Sequence, residues 1–328
     1  MDGKIRIGIC GYGNLGKGIE SEITKNPDME LAAVFTRRQP AEALKIKANV
    51  PVVHIDSAFE WKDRIDVMIM CGGSKSDLPA QVPGFAKTFN TVDSFDTHAK
   101  IPNHFEAVDQ AAKAGNHISV ISAGWDPGLF SVLRLYTGAI IPEGKTYSFW
   151  GKGVSQGHSE AIRRVEGVED AIQYTIPNET AIDRVRKGEN PELTAREKHT
   201  RECYVVAADG ADKERIESEI KTMPDYFADY DTTVYFISME ELKANHGRMM
   251  HGGKVVHFGK TGEGNSQMVE VSLALDSNPE FTSSVLIACA RAAYRLSAAG
   301  ETGARTIFDI PPKLLSPEDP AVLVKNLM

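Results

Sequence analysis

Gly11-Tyr12-Gly13-Asn14-Leu15-Gly16 spells G-x-G-x-x-G directly after the apolar run Lys4 to Cys10. Each glycine there has a mechanical task. Gly11 permits a tight turn, Gly13 lets the backbone approach a pyrophosphate, and Gly16 allows a helix to pack closely on the strand. The helix N-terminus that follows offers N–H groups and positive dipole to phosphates, so the chemistry expected is dinucleotide binding. About twenty residues on, an NAD site would carry Asp or Glu for the ribose. This chain reads Phe35-Thr36-Arg37-Arg38 instead. A hydroxyl and two guanidiniums suit a 2′-phosphate, which favours NADP over NAD; the competing reading is a solvated arginine pair. Cys71-Gly72-Gly73-Ser74 either approaches the cofactor's ribose and nicotinamide or forms a plain turn.

Two further clusters follow strand ends: Val92-Asp93-Ser94-Phe95-Asp96-Thr97-His98 and Ser122-Ala123-Gly124-Trp125-Asp126-Pro127-Gly128. Ligands of parallel sheets sit at the carboxyl ends of strands, so Asp96 and Asp126 could converge beside a nicotinamide. Carboxylates only accept hydrogen bonds, which suits an ammonium group. Asp126, before Pro-Gly, could equally only shape a turn.

The elements that must position these groups begin as a βαβ unit. Lys4–Cys10 reads as a strand, Lys17–Lys25 as a helix and Met29–Phe35 as a second strand. Val52–Ile55, Ile65–Cys71, Phe89–Val92 and His117–Ile121 continue as strands, with a helix over His104–Ala114. Near-continuous apolar strands alternating with helices predict a parallel sheet covered on both faces. After Gly128 the strands become alternating and aromatic: Thr146–Trp150, Cys203–Ala207, Thr232–Ile237, Lys254–Gly259 and Gln267–Leu275. That pattern predicts a half-buried, largely antiparallel or mixed sheet. A helix over Phe281–Ser297 and a short tail return to the first domain. The expected fold class is α/β: a Rossmann-type dinucleotide-binding domain of residues 1–122 and about 298–328, with an inserted α+β domain of about 123–297.

Composition excludes other classes. The 328 residues carry 37 Lys+Arg against 45 Asp+Glu, a formal net charge of −8. A negative balance argues against nucleic acid or acidic membranes as partners. No apolar run approaches the roughly 18 residues of a membrane span. Cys10, Cys71, Cys203 and Cys289 lack CxxC or zinc spacing, so they read as reduced thiols with no metal. The N-terminus runs straight into a strand, and a cytoplasmic enzyme is the expectation.

GYGNLG with FTRR, VDSFDTH, SAGWDPG, FWGKGVSQGHSEAIRR, QYTIP, KHTREC, MPDYF, MMHGG and LDSNP together resemble the meso-diaminopimelate dehydrogenase family across essentially the whole chain. Strings such as FWGKGVSQGH are far more specific than the glycine motif. Met250, before His251, stands where the family pattern has proline. The resemblance implies NADP-dependent oxidative deamination at the D-configured carbon of meso-2,6-diaminopimelate. The products would be L-2-amino-6-oxopimelate, which cyclises to tetrahydrodipicolinate, with ammonium and NADPH.

Carried over residue by residue, the resemblance implies that Asp96 and Asp126 bind the amino group at the D centre, walled by Trp125 and Trp150. Gln156 and Gly157, in the SQGH turn, would make polar contacts along the substrate. Thr175, Arg201, His251 and Asn278 would hold the distal carboxylate and its surroundings. Without the resemblance, Arg201 is an ordinary surface arginine, His251 a structural histidine and Trp150 a core aromatic. Asp126 or Asp96, directly or through water, is the candidate base. The resemblance further implies a homodimer formed through the second domain. Two other readings are weighed against this one: a reductase of a cyclic imine or aspartate-family aldehyde, and a non-catalytic NADP sensor. A sensor predicts a decayed substrate side, and a reductase has no use for both an amine site and a distant amino-acid clamp.

Overall fold

Isoleucines at alternate positions run along β1 (Ile5–Cys10), and a computed structural model shows them buried. The structure describes residues 3–328; Met1 and Asp2, at the edge of the first expected domain, lie outside the described residues. β1 joins β2 (Met29–Thr36), β3 (Val52–His54), β4 (Val67–Met70), β5 (Asn90–Asp93) and β6 (Ile118–Val120) in one parallel sheet. The order is Gly303–Arg305, β6, β5, β4, β1, β2, β3. β4, β5 and β6 are buried throughout, so both sheet faces need cover. On one face Ile7, Ile9, Val67 and Ile69 pack with Ile19 and Ile23 of helix Asn14–Ile23 and with Leu286, Ala290 and Ala293 of helix Asn278–Ala298. On the other, Met68 and Met70 pack with Leu78, Val82 and Phe85 of helix Asp77–Ala86 and with Val108 and Ala112 of helix Ile101–Gly115.

This is a doubly wound sheet whose order reverses between β1 and β4, the place where such sheets bind ligands. Residues 11–16, 37–38, 71–74, 94–98 and 122–126 all follow carboxyl ends of its strands, and Thr36 is the last residue of β2.

The remaining chain builds β7 (Glu143–Trp150), β8 (Gly153–Val154), β9 (Val168–Pro177), β10 (His199–Ala207), β11 (Asp231–Phe236), β12 (His251–Thr261) and β13 (Asn265–Leu275). They form two sheets, β11-β10-β9-β8 and β13-β12-β7. The β10–β11 pair is parallel and the others antiparallel, so the first of these sheets is mixed. Ala171, Cys203 and Val205 on one face of the mixed sheet pack against Ile162, Ile216, Ile220 and Phe227. Ile162 lies on helix Gln156–Arg163, and Ile216 and Ile220 on helix Lys213–Thr222.

The chain divides into two compact units, Met1–Val132 with Pro279–Met328, and Leu133–Asn278. These limits differ from the boundaries expected at about 123 and 297. The long helix accounts for the second difference: its apolar face packs on β1 and β4, and its Arg291 is buried against Asp28 and Asn26 at 2.6–2.8 Å. The strands expected from the sequence do not include β9; pairing with β8 and β10 makes it the longest of its sheet. No described helix is long and apolar enough to cross a membrane. Among the described residues no cluster could hold a metal ion, and all four cysteines are free thiols.

Candidate functional site

In the first unit the glycine motif has the geometry its spacing predicts. Gly11 adopts φ 98°, and its N–H donates to the Phe35 carbonyl at 2.9 Å, tying the turn to the end of β2. A Cβ on Gly16 would lie 2.3 Å from the Gly11 carbonyl oxygen, so only glycine fits there. The helix starts at Asn14 rather than Lys17, which puts Asn14, Leu15 and Gly16 in its first turn. Gly13 precedes that turn with open space where a side chain would be, and the turn carries no acidic residue. Backbone N–H groups therefore face a volume that a pyrophosphate can enter. Tyr12 is engaged elsewhere: its hydroxyl donates to buried Glu20, which also accepts from the N–H groups of Lys47 and Ala48 at 2.7 Å.

At the end of β2, the Thr36 hydroxyl accepts from the Arg38 N–H at 3.2 Å. The Arg37 guanidinium forms a two-pronged ion pair with Asp77 at 3.0 and 3.1 Å, yet its side chain stays 65% exposed. Arg38 is exposed as well. Asp77 also accepts from the Gly73 N–H at 3.0 Å, so the Cys71–Ser74 loop and the arginine are held by one carboxylate. A 2′-phosphate reaching Arg37 competes with Asp77 for it.

Asp93, named above only within the segment Val92–His98, organises the two carboxylate loops. It is fully buried at the end of β5 and accepts from the Phe95 N–H at 2.9 Å and the Ser122 N–H at 3.0 Å. Its other oxygen meets His104 Nε2 at 2.9 Å, and its own carbonyl accepts from the Ala123 N–H. One side chain thus fixes the segment carrying exposed Asp96 and the segment carrying Trp125 and half-buried Asp126. Ser74 Oγ accepts from the Asp96 N–H at 2.9 Å, which joins the third loop to the same array. Trp125 is buried edge-on against Phe130, at 5.3 Å between ring centroids. The signal for Asp93 was available: a carboxylate at the last position of a buried strand needs local N–H donors.

In the second unit Thr175, Arg201, His251 and Trp150 come together on one face of the mixed sheet. Thr175 and Arg201 are direct partners across β9 and β10, and an Arg201 N–H donates to the Thr175 hydroxyl. Gly153 is the partner of Thr175 on its other side. A Cβ on Gly153 would lie 2.4–2.5 Å from the His251 ring, so the absence of a side chain there seats that imidazole beside Thr175. His199 lies two residues before Arg201, on the same face. Its ring stacks on Trp150 at 5.2 Å between centroids, and its Nε2 accepts the Trp150 backbone N–H at 2.8 Å. Tyr230 lies under the Arg201 guanidinium at 3.9 Å.

Gln156 and Gly157 open helix Gln156–Arg163 instead of lying in a turn, and both are exposed. Gln156 donates to the Met249 sulfur at 3.4 Å, and the Met249 carbonyl accepts from the Asn278 N–H at 2.9 Å. The Met250 carbonyl accepts from the Val154 N–H at 2.9 Å. The segment leading to His251 is thus anchored through carbonyl oxygens, which proline also possesses, so Met250 departs from the family pattern without loosening this loop.

Electrostatically this face is cationic and short of anions. Arg201 is 6% exposed, its Nε has no hydrogen-bond partner, and among the described residues no carboxylate pairs with it. Burial lowers its pKa. Burial together with the charge of Arg201 pushes His158 down to about 4 and His199 to about 3, and lowers His251 as well. All three imidazoles are therefore neutral around a single buried cation. A buried unpaired guanidinium is costly unless a ligand supplies the carboxylate.

Residues 124–277 match the family model described as the diaminopimelic acid dehydrogenase C-terminal domain. A meso-diaminopimelate D-dehydrogenase of Ureibacillus thermosphaericus is 62% identical over 325 residues, covering 99% of each chain. A solved mutant meso-DAPDH from Clostridium tetani, with DAP, superposes at TM-score 0.93 and 55% identity over 99% of this chain and 100% of that one. A solved engineered D-amino acid dehydrogenase bound to NADP+ superposes at TM-score 0.88 and 42% identity, over 99% of this chain and 100% of that one.

Proposed function

Because the chain belongs to the meso-diaminopimelate D-dehydrogenase family, we propose that it oxidises the D centre of meso-2,6-diaminopimelate with NADP, releasing ammonium, NADPH and L-2-amino-6-oxopimelate. The observation that carries the reading is Arg201, a buried cation beside Thr175 and His251 that pairs with no carboxylate among the described residues. It is suited to clamp the substrate's distal carboxylate, with Trp150, Gln156, Gly157 and Asn278 around the substrate's length. Fixing the L end leaves only a D-configured carbon able to aim its hydrogen at the nicotinamide. The glycine motif and the exposed Arg37 and Arg38 fit the pyrophosphate and 2′-phosphate of NADP, and the Cys71–Ser74 loop fits its ribose side. When bound, the cofactor's contribution is acceptance of the α-carbon's hydride.

The residues supply the rest. Asp96 and Asp126 hold the reacting ammonium and one of them takes its proton, directly or through water, leaving the lone pair that assists hydride departure. Trp125 walls this end. Hydrolysis of the resulting imine by water releases ammonium. Orientation by the distal clamp removes entropy from the barrier.

In this reading the first unit binds the dinucleotide and carries Asp96, Trp125 and Asp126 for the reacting end of the substrate, and the second carries the distal clamp and forms a homodimer. Exposed Leu135, Tyr136 and Ile140 on helix Leu129–Ile140, with Met268 on β13, support the dimer. Four reduced thiols support a cytoplasmic setting.

Purified protein with NADP and each of the meso, LL and DD stereoisomers, followed by NADPH formation at alkaline pH, tests the assignment. Turnover of meso alone is expected; no NADPH from meso with folded protein overturns it. Replacing Arg37 and Arg38 with Ala is expected to weaken NADP by about ten- to a hundredfold, the worth of charge-assisted hydrogen bonds. NAD should be nearly unaffected, and an equal loss for both cofactors would exclude the 2′-phosphate contact.

A further inference from the structure

The face that carries Thr175 and Arg201 also holds a side chain the proposed function does not use. Gln173 lies two residues before Thr175 on β9, opposite Cys203 on β10, so it projects from the same face as Arg201 and stands diagonal to it. It is 0% exposed, and neither its Nε2 nor its Oε1 has a hydrogen-bond partner among the described residues. Two more buried atoms in this place share that condition: Nε of Arg201, and Oγ1 of Thr232, which is the partner of Arg201 on β11. The backbone here is held firmly. The Gln173 N–H donates to Ser159 Oγ at 3.0 Å and its carbonyl accepts from the Ser155 N–H at 3.0 Å.

Buried amides are ordinarily satisfied, and the next positions along this face are apolar, Ala171 and Val205, where leucine or methionine would suit the core better. Both functions of one amide unsatisfied beside a buried cation indicate a ligand that brings an acceptor and a donor together. An amino-acid centre is such a ligand, with its carboxylate and ammonium on one carbon.

We propose that Gln173 is a specificity-determining residue for the distal centre: its amide N–H donates to the carboxylate held by Arg201, and its carbonyl accepts from the adjacent ammonium. An arginine alone accepts any carboxylate; the amide adds the requirement for an amino group. With the chain leading to the reacting carbon as a third point, the pair defines the configuration of the distal centre. The inference rests on the reading of this face as the distal subsite.

The test uses Gln173→Leu and the closer-volume Gln173→Met with three ligands: meso-diaminopimelate, D-2-aminopimelate, which lacks the distal ammonium, and D-2-aminoheptanoate, which lacks both distal groups. KM is measured for meso-diaminopimelate and competitive inhibition constants for the other two, alongside NADP affinity and melting temperature. Expected is a rise of about tenfold or more in KM for meso-diaminopimelate with kcat little changed, the scale of a hydrogen bond to a charged group. D-2-aminopimelate should weaken less and D-2-aminoheptanoate not at all, so discrimination between the first two shrinks. Equal losses for all three ligands, or no loss in a folded variant, would overturn the role of Gln173. Failure of the unsubstituted protein to turn over meso-diaminopimelate would instead overturn the functional reading beneath it.

Discussion

Replacing Arg201 with leucine should lower kcat/KM for meso-diaminopimelate by about a thousandfold, almost wholly through KM, while leaving the substrate-free protein at least as stable. The first half follows from removing one partner of a buried pair, which costs roughly 3–5 kcal/mol because the substrate carboxylate is left desolvated and unpaired. The second half follows from what surrounds Arg201 within the chain itself. Among the described residues Arg201 Nε has no hydrogen-bond partner and no carboxylate pairs with the guanidinium, so an apolar side chain relieves a desolvated charge and abandons none. Steady-state kinetics and urea unfolding of the same variant check both halves. A variant that loses stability while KM holds would make Arg201 a structural residue.

The second large effect is acid sensitivity centred on the same cation. In the unfolded chain His158 and His199 titrate near the ordinary value of 6.5; folded, burial and Arg201 push them down to about 4 and about 3. Above pH 6.5 both states leave them neutral, and their environment costs no stability. As pH falls below 6.5 the unfolded chain takes up protons that the folded chain refuses, so stability is lost steadily down to the folded pKa values. For His158 alone the shift corresponds to about 3 kcal/mol over that window. Unfolding free energies measured at pH 7.5, 6 and 5 should therefore fall, and His158→Asn should flatten the fall. Arg201→Leu should flatten it too, because removing the charge lets both imidazoles protonate nearer their ordinary value. An unchanged pH profile in both variants would sever the histidines from the cation.

Much of the first unit was legible because its signals are local. Gly11 and Gly16 sit where a turn and a helix–strand contact exclude any side chain, and the strands around them are apolar runs with few alternatives. The limits of the signal show at Asn14, where a helix begins three residues early because Gly13 already supplies the cap position. Arg37 was legible as a cation but its pairing with Asp77, forty residues on, was not. Asp93 and His104 were missed because their meaning depends on which N–H groups surround a buried carboxylate.

The second unit was legible chiefly through resemblance. Taken residue by residue, Arg201 in a charged segment has the composition of a surface, and only register decides otherwise. Pairing β9 with β10 sets Thr175 opposite Arg201, pairing β8 with β9 clears Gly153 for His251, and strand alternation puts His199 and Gln173 on the same face.

The amino-acid sequence by itself determined the glycine turn, the doubly wound parallel sheet, the arginines after β2 and the family, because each is written in neighbouring residues or in long unusual strings. The tertiary structure alone decided which polar groups are desolvated together. Burial turns Arg201 from a solvated charge into a cation in need of a carboxylate, and that property depends on strands brought together from distant parts of the chain.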